Sequence, residues 1–81
     1  MKVHVQFFAQ LRDLAGASEL DVDLPEGSSV TDLLEKIYSL EPRLREHDTT
    51  TLVGASVDFV DRNYQIRPNE TIAIMPPVQG G

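Results

Sequence analysis

The chain has 81 residues, and its 13 acidic and 7 basic side chains give a net charge of −6. This length allows one small domain with a single core, but not an enclosed active site of ordinary size. The acidic balance argues against nucleic acid and against an anionic membrane as partners, and it is compatible with a basic protein partner. Because the sequence contains no cysteine, disulfides, thiolate metal sites and a cysteine nucleophile are excluded.

Neither membrane targeting nor an independent catalytic centre is indicated. No stretch approaches the ~18 apolar residues of a membrane span, and the N-terminus lacks the layout of a signal peptide, so we expect a cytoplasmic protein. The two histidines, His4 and His47, have no acidic or histidine partner at ligand spacing in the sequence. We therefore expect surface histidines, no metal site, and a chain that is not an enzyme by itself.

The hydrophobic pattern of the first 16 residues predicts a strand followed by a short helix. Alternation over residues 1–8 predicts a strand with Phe7 facing the core and Phe8 on the opposite face. Residues 9–15, followed by Gly16, have the pattern of a short helical connector closed by a left-handed glycine.

A second strand and the main helix come next. Apolar residues alternate with acidic ones over residues 20–24, which predicts a strand that pairs antiparallel with the first. After a turn at residues 25–27, Ser29 is a good N-cap with Asp32 three positions on, and Pro42 ends the helix near residue 40. The apolar stripe of this helix comprises Val30, Leu33, Leu34, Ile37 and Leu40.

The second half of the chain is predicted to supply the remaining strands. Residues 42–50 are polar and are interpreted as a loop that could include a turn around Leu44. Residues 52–55 and 57–60 have the apolar character of a third strand and a short fourth one, and residues 71–75 form the last strand.

This order of elements predicts an α+β fold. If the last strand lies parallel to the first at the centre, one mixed sheet wraps around the main helix in a β-grasp arrangement. We expect a β-grasp domain over residues 1–75 and an extended C-terminal tail over residues 76–81. The inward strand residues would be Val3, Val5, Phe7, Leu20, Val22, Ile72 and Ile74, and the other face would gather Phe8, Phe59 and Met75 as a partner interface.

The tail has a distinctive composition. Pro76 and Pro77 remove two backbone donors, so strand pairing must stop and the chain leaves as a stiff segment, Val78-Gln79-Gly80-Gly81. One interpretation is a frayed chain end. The other is that Gly80 and Gly81, which lack Cβ atoms, allow the terminal carboxylate to enter a narrow channel in a partner, helped by the stiff spacer.

Three segments resemble a known family. Phe7-Phe8-Ala9-Gln10-Leu11-Arg12-Asp13-Leu14-Ala15-Gly16, the Ser29-Val30 helix start and Pro76-Pro77-Val78-Gln79-Gly80-Gly81 are similar to the small sulfur-carrier subunit of molybdopterin synthase, MoaD. This resemblance implies a ubiquitin-like β-grasp fold. It also implies that a MoeB-type enzyme adenylates the Gly81 carboxylate with ATP, that a sulfur donor converts it to a thiocarboxylate, and that the tail delivers sulfur to cyclic pyranopterin monophosphate.

The resemblance further implies where the catalytic groups lie. The tail, Pro76 to Gly81, would be inserted into the large subunit, MoaE, which would supply the catalytic side chains in a heterotetramer. The chain would bind no cofactor of its own, because ATP is used by the activating enzyme. Two positions depart from the family pattern: many members have Asn where Ser56 stands and an aromatic residue where Met75 stands.

Two other functions share the tail and the fold. A ubiquitin-like protein modifier would join Gly81 to lysines of target proteins, and another kind of Gly-Gly sulfur carrier would use the same terminal chemistry. A β-grasp interaction module with an incidental tail is the third alternative. Intact mass discriminates a sulfur carrier from a protein modifier, because a carrier exchanges one oxygen for sulfur whereas a modifier forms conjugates.

Overall fold

The computed structural model describes residues 1–77. These residues form five strands, two α-helices and one 3₁₀ segment. In chain order they are β1 (Lys2–Phe7), α1 (Ala9–Ala15), β2 (Glu19–Asp23), α2 (Val30–Leu40), the 3₁₀ segment (Pro42–Thr50), β3 (Leu52–Ala55), β4 (Asp58–Val60) and β5 (Thr71–Met75).

The strands form a single mixed sheet in the order β2-β1-β5-β3-β4. β1 and β5 are parallel, whereas the β1–β2, β3–β4 and β3–β5 pairs are antiparallel. The last strand therefore lies parallel to β1 at the centre of the sheet, as expected from the sequence, and β3 lies on its other side. With α2 covering one face, this is the predicted α+β arrangement of one sheet around a main helix.

Strict alternation along the strands builds the core. Val3, Val5 and Ile72 are completely buried, because every second residue of β1 and β5 points toward α2. Leu33 and Leu34 meet them from the helix. One core prediction is wrong, since Leu40 is 55% exposed, whereas Leu20 is partly buried and packs against the core as predicted. Tyr38 takes a core position that the apolar stripe did not include.

The ends of α2 have the predicted chemistry. The Asp32 N–H donates to Ser29 Oγ at 3.3 Å, and the Ser29 N–H donates to Asp32 Oδ2 at 2.9 Å, which is a complete capping box. At the other end the Glu41 N–H donates to the Ile37 carbonyl at 2.8 Å. Pro42 follows directly and cannot continue the helix.

The prediction of a loop over residues 42–50 is wrong, because this stretch is the 3₁₀ segment. Its polar composition obscured one buried side chain, Leu44, that attaches the segment to the core. Arg43 also donates to the Leu14 carbonyl at 2.9 Å and ties the segment to α1. β4 begins one residue later than expected, since Ser56, with φ 58°, and Val57 form the turn between β3 and β4.

Candidate functional site

The three side chains predicted to form a partner interface come together on the sheet face opposite α2. Phe8, Phe59 and Met75 line one depression of ≈ 240 Å³, here called the sheet-face depression. Phe8 is 44% exposed and Phe59 is 67% exposed, while Met75 is partly buried. Clusters of exposed apolar side chains of this kind mark contact surfaces. Their role in binding a partner stays a prediction.

Backbone pairing positions each of these residues. The Phe8 N–H donates to the Ile74 carbonyl at 3.1 Å, which continues the β1–β5 ladder by one residue and sets the Phe8 ring beside Met75. Ala9 then has φ 53°, and this left-handed residue turns the chain from β1 into α1. Phe59 lies on β4, an edge of the sheet, so its ring has no neighbour on its outer side in the sheet order.

The floor of the sheet-face depression comes from residues that sequence reasoning missed. Gly54 on β3 and Ala73 on β5 are paired partners, and both line the depression. Their small size leaves the space between the larger side chains open. A glycine inside a strand pattern was the available signal, because glycine weakens a strand and often marks close approach of another group.

Val57 adds a further apolar group to the rim of the depression. It lies in the turn between β3 and β4 and is 95% exposed. Ser56 beside it has the left-handed conformation that asparagine tolerates better than serine. Ser56, where the resemblance implies asparagine in many members, therefore lies in a turn next to the site.

The tail leaves the sheet at the same end. β5 stops at Met75, and Pro76 and Pro77 have no strand or helix assignment. Together with Ala9, Gln10 and Thr50, the two prolines line a second, broad depression of ≈ 490 Å³. The predictions for Val78, Gln79, Gly80 and Gly81 lie outside the described residues and stay predictions, as do the boundaries of the domain and the tail.

The β2 end of the same sheet face is acidic and contains a histidine. His4 Nδ1 lies 2.6 Å from Asp21 Oδ1, and His4 Nε2 lies 3.4 Å from Glu19 Oε1. The hydrogen bond to Asp21, followed by that to Glu19, raises the pKa of His4. The sequence showed no acidic partner for His4 at ligand spacing, because these partners lie across the β1–β2 pairing rather than near it along the chain.

A second polar cluster stabilises the 3₁₀ segment. The Tyr38 hydroxyl donates to Asp48 Oδ1 at 2.5 Å, and Arg62 donates to the same oxygen at 2.9 Å. The Tyr38 hydrogen bond, together with Arg62, holds the pKa of Asp48 below its usual range. Desolvation and the neighbouring Asp48 carboxylate raise the pKa of Tyr38. This cluster joins α2 to the segment and lies away from the sheet-face depression.

Two structural findings concern other classes of site. Over residues 1–77, no group of three or more histidine, aspartate or glutamate side chains is arranged to hold a metal ion. In the same part of the chain, no helix has the length and apolar character needed to cross a membrane.

The fold and the exposed sheet face define a ubiquitin-like β-grasp protein, and comparison with known proteins narrows the class. A profile described as the ThiS family matches residues 5–81. The chain is 33% identical over 84 residues to the molybdopterin synthase sulfur carrier subunit of Drosophila yakuba, covering 100% of this chain and 92% of that one. The chain therefore belongs to the ThiS family, and the predicted resemblance is confirmed.

Solved structures agree on the fold. A protein assigned as molybdopterin converting factor, subunit 1, from Pyrococcus furiosus is 29% identical and superposes with a TM-score of 0.87 over 96% of this chain and 99% of that chain. A chain in the complex of subunits 1 and 2 of molybdopterin-converting factor from Helicobacter pylori is 21% identical, with a TM-score of 0.70 and full coverage of both chains. The predicted ubiquitin-like β-grasp fold is confirmed.

Proposed function

We propose that this protein is the sulfur-carrier subunit of a molybdopterin synthase, with Gly81 as its working terminus. One observation carries the proposal: β5 is held between β1 and β3, its last residue, Met75, lines the sheet-face depression, and the chain passes directly from Met75 into Pro76 and Pro77. A partner that covers this apolar surface would therefore also lie next to Pro76, where the tail begins. The names of the relatives in the ThiS family support the same assignment.

The chemistry begins with activation of the Gly81 carboxylate. A carboxylate is a poor electrophile, so a MoeB-type enzyme would join it to the α-phosphate of ATP and release pyrophosphate. A sulfur donor at the sulfide level would then attack the acyl carbon and displace AMP, leaving a thiocarboxylate. Because Gly80 and Gly81 carry no Cβ atoms, they allow the tail to enter a narrow channel and allow the nucleophile to approach.

Sulfur transfer would take place in the large subunit, MoaE. The thiocarboxylate sulfur would form a bond to a carbon of cyclic pyranopterin monophosphate and displace an oxygen substituent from that carbon. Water would then attack the acyl carbon and cleave the acyl–sulfur bond, which leaves the sulfur on the pterin and restores the Gly81 carboxylate. In this scheme the chain is a reagent and a subunit of a heterotetramer, and the large subunit supplies the catalytic side chains. Pro76 to Gly80 form the inserted arm, and ATP binds to the activating enzyme rather than to this chain.

The test separates folding from function. Deletion of Gly80 and Gly81 should leave the melting temperature nearly unchanged, because changes away from the core usually fall within about ±0.5 kcal/mol. The same deletion should abolish ATP-dependent adenylate formation with the cognate activating enzyme. One residue appended after Gly81 should be equally damaging, because its amide bond consumes the carboxylate.

Two results would contradict the proposal. The first is wild-type adenylation and cofactor formation by either tail variant, since the Gly81 terminus would then not react. The second comes from intact mass of the protein isolated from its native host. Exchange of one oxygen for sulfur supports the carrier, whereas a series of conjugates without any thiocarboxylate indicates a ubiquitin-like modifier.

A further inference from the structure

One row of paired residues, one from each strand, crosses the whole outer face of the sheet. Phe59 on β4 pairs with Gly54 on β3, and Gly54 pairs with Ala73 on β5. Ala73 in turn pairs with Gln6 on β1, which pairs with Glu19 on β2. Paired residues share a face of a sheet. The row therefore runs from an exposed aromatic ring, across two very small residues, to an acidic edge.

Gly54 is unusual because its backbone does not require glycine. Its φ lies outside the left-handed region, so a residue with a side chain could adopt the same conformation. A Cβ atom placed there would lie 3.3 Å from Met75 Cε and 3.8 Å from Ala73 Cβ. The glycine therefore keeps space open beneath Met75, and glycine within a strand is typical of a site that another group approaches closely.

The size of the depression indicates what could occupy it. Its volume of ≈ 240 Å³ is below the roughly 300–1,000 Å³ of ordinary small-molecule pockets. It exceeds the roughly 150 Å³ of an apolar cavity that can hold a benzene molecule. Phe8, Phe59 and Met75 offer apolar walls and Gly54 and Ala73 an open floor. These dimensions suit one large apolar side chain from a protein.

The charge around the depression indicates which kind of protein could supply this side chain. Glu19, Asp21 and Asp23 are exposed on β2, and Asp58 lies on the rim of the depression. With a net charge of −6, a second copy of this chain would bring like charges to the same surface. A basic surface would instead complement the acidic edge while its apolar side chain fills the depression.

We propose that the Gly54–Ala73 floor is a socket that receives one large aromatic or aliphatic side chain from a basic surface of the synthase large subunit. This inference rests on the proposed function and adds to it a specific occupant and two residues that determine fit. Gly54 and Ala73 act by leaving space, and the flanking aromatic rings and Met75 supply the contacts.

The experiment fills the socket without disturbing the core. Ala73→Leu adds apolar atoms on the outer face of β5, and Thr71→Leu is the matched control, because Thr71 is on the same strand and face but does not line the depression. Both full-length variants should melt like the wild type. Titration calorimetry with the large subunit should show at least a roughly tenfold loss of affinity for Ala73→Leu, the effect expected at a tightly fitted contact. Thr71→Leu should bind within about twofold of the wild type.

Each outcome has a distinct meaning. If the wild type binds the large subunit and Ala73→Leu binds equally well, the socket is refuted while the carrier function stands. Equal losses of affinity in both variants would also refute the socket, because any larger side chain on the outer face of β5 would then weaken binding. If sedimentation shows a wild-type dimer that Ala73→Leu dissociates, the occupant is a second copy and the inference is wrong. If the wild type neither binds the large subunit nor becomes adenylated, the proposed function itself fails.

Discussion

Replacement of Phe59 by aspartate is the most direct test of the sheet face as a binding surface. The ring is 67% exposed on an edge strand, so its loss should change the stability of the isolated protein little. A buried phenylalanine covers roughly 200 Å², so docking would remove about 130 Å² of this ring from water. At about 25 cal/mol per Å², that area corresponds to about 3 kcal/mol, or a loss of affinity of roughly 150-fold.

The assay is isothermal titration calorimetry against the large subunit, with thermal melts of each variant alone. The aspartate should increase the loss beyond the area term, because its charge would have to be desolvated in the complex. Leu40→Asp is the matched control, since Leu40 is 55% exposed but lines a different depression between α2 and the 3₁₀ segment. Unchanged affinity for Phe59→Asp would exclude Phe59 as an anchor, and equal losses in both variants would show a general effect of charge.

Three predictions concern stability. Leu34→Ala should lower the free energy of unfolding by about 2 to 5 kcal/mol in urea, because the buried side chain leaves a cavity; a loss near zero would mean that the helix face is misassigned. Tyr38→Phe should lower the free energy of unfolding by about 1 to 2 kcal/mol, because it removes the hydrogen bond to Asp48. NMR titration of this variant should find the Asp48 pKa closer to its usual value. An unchanged Asp48 pKa would rule out this hydrogen bond as the main cause of the lowered pKa. The raised pKa of His4 means that its pairing with Asp21 stabilises the protein fully below about pH 6.5, and that this contribution is lost as pH rises through the raised value. Wild type relative to His4→Gln should therefore be more stable at about pH 5.5 than at about pH 8.5, and a pH-independent difference would contradict this assignment.

The elements that could be predicted from sequence are those determined by neighbours along the chain. The period-two pattern of β1 needs only adjacent residues, and the capping box of α2 needs only Ser29 and Asp32. The exposed position of Phe8 also follows from alternation once Phe7 is placed inside. Local patterns therefore predicted most of the fold and the apolar walls of the candidate site.

The features that were missed depend on contacts between distant segments. His4 meets Asp21 only when the β1–β2 register is known. Similarly, Gly54 and Ala73 become neighbours through the β3–β5 pairing. At Leu44 only a turn could be suggested, because one apolar residue in a polar stretch has no detectable period, and its burial depends on contacts with distant segments.

The two edges of the sheet have a consequence for solubility. Exposed edges can add strands from other molecules, which leads to aggregation. β2 carries Glu19, Asp21 and Asp23 along its exposed side, and β4 is only three residues long. Charged edges and short edges both hinder strand addition. Both edges of this sheet therefore disfavour strand addition between copies of the protein. They leave the side chains of the sheet face, rather than unpaired backbone, as the surface on which we expect partner contacts.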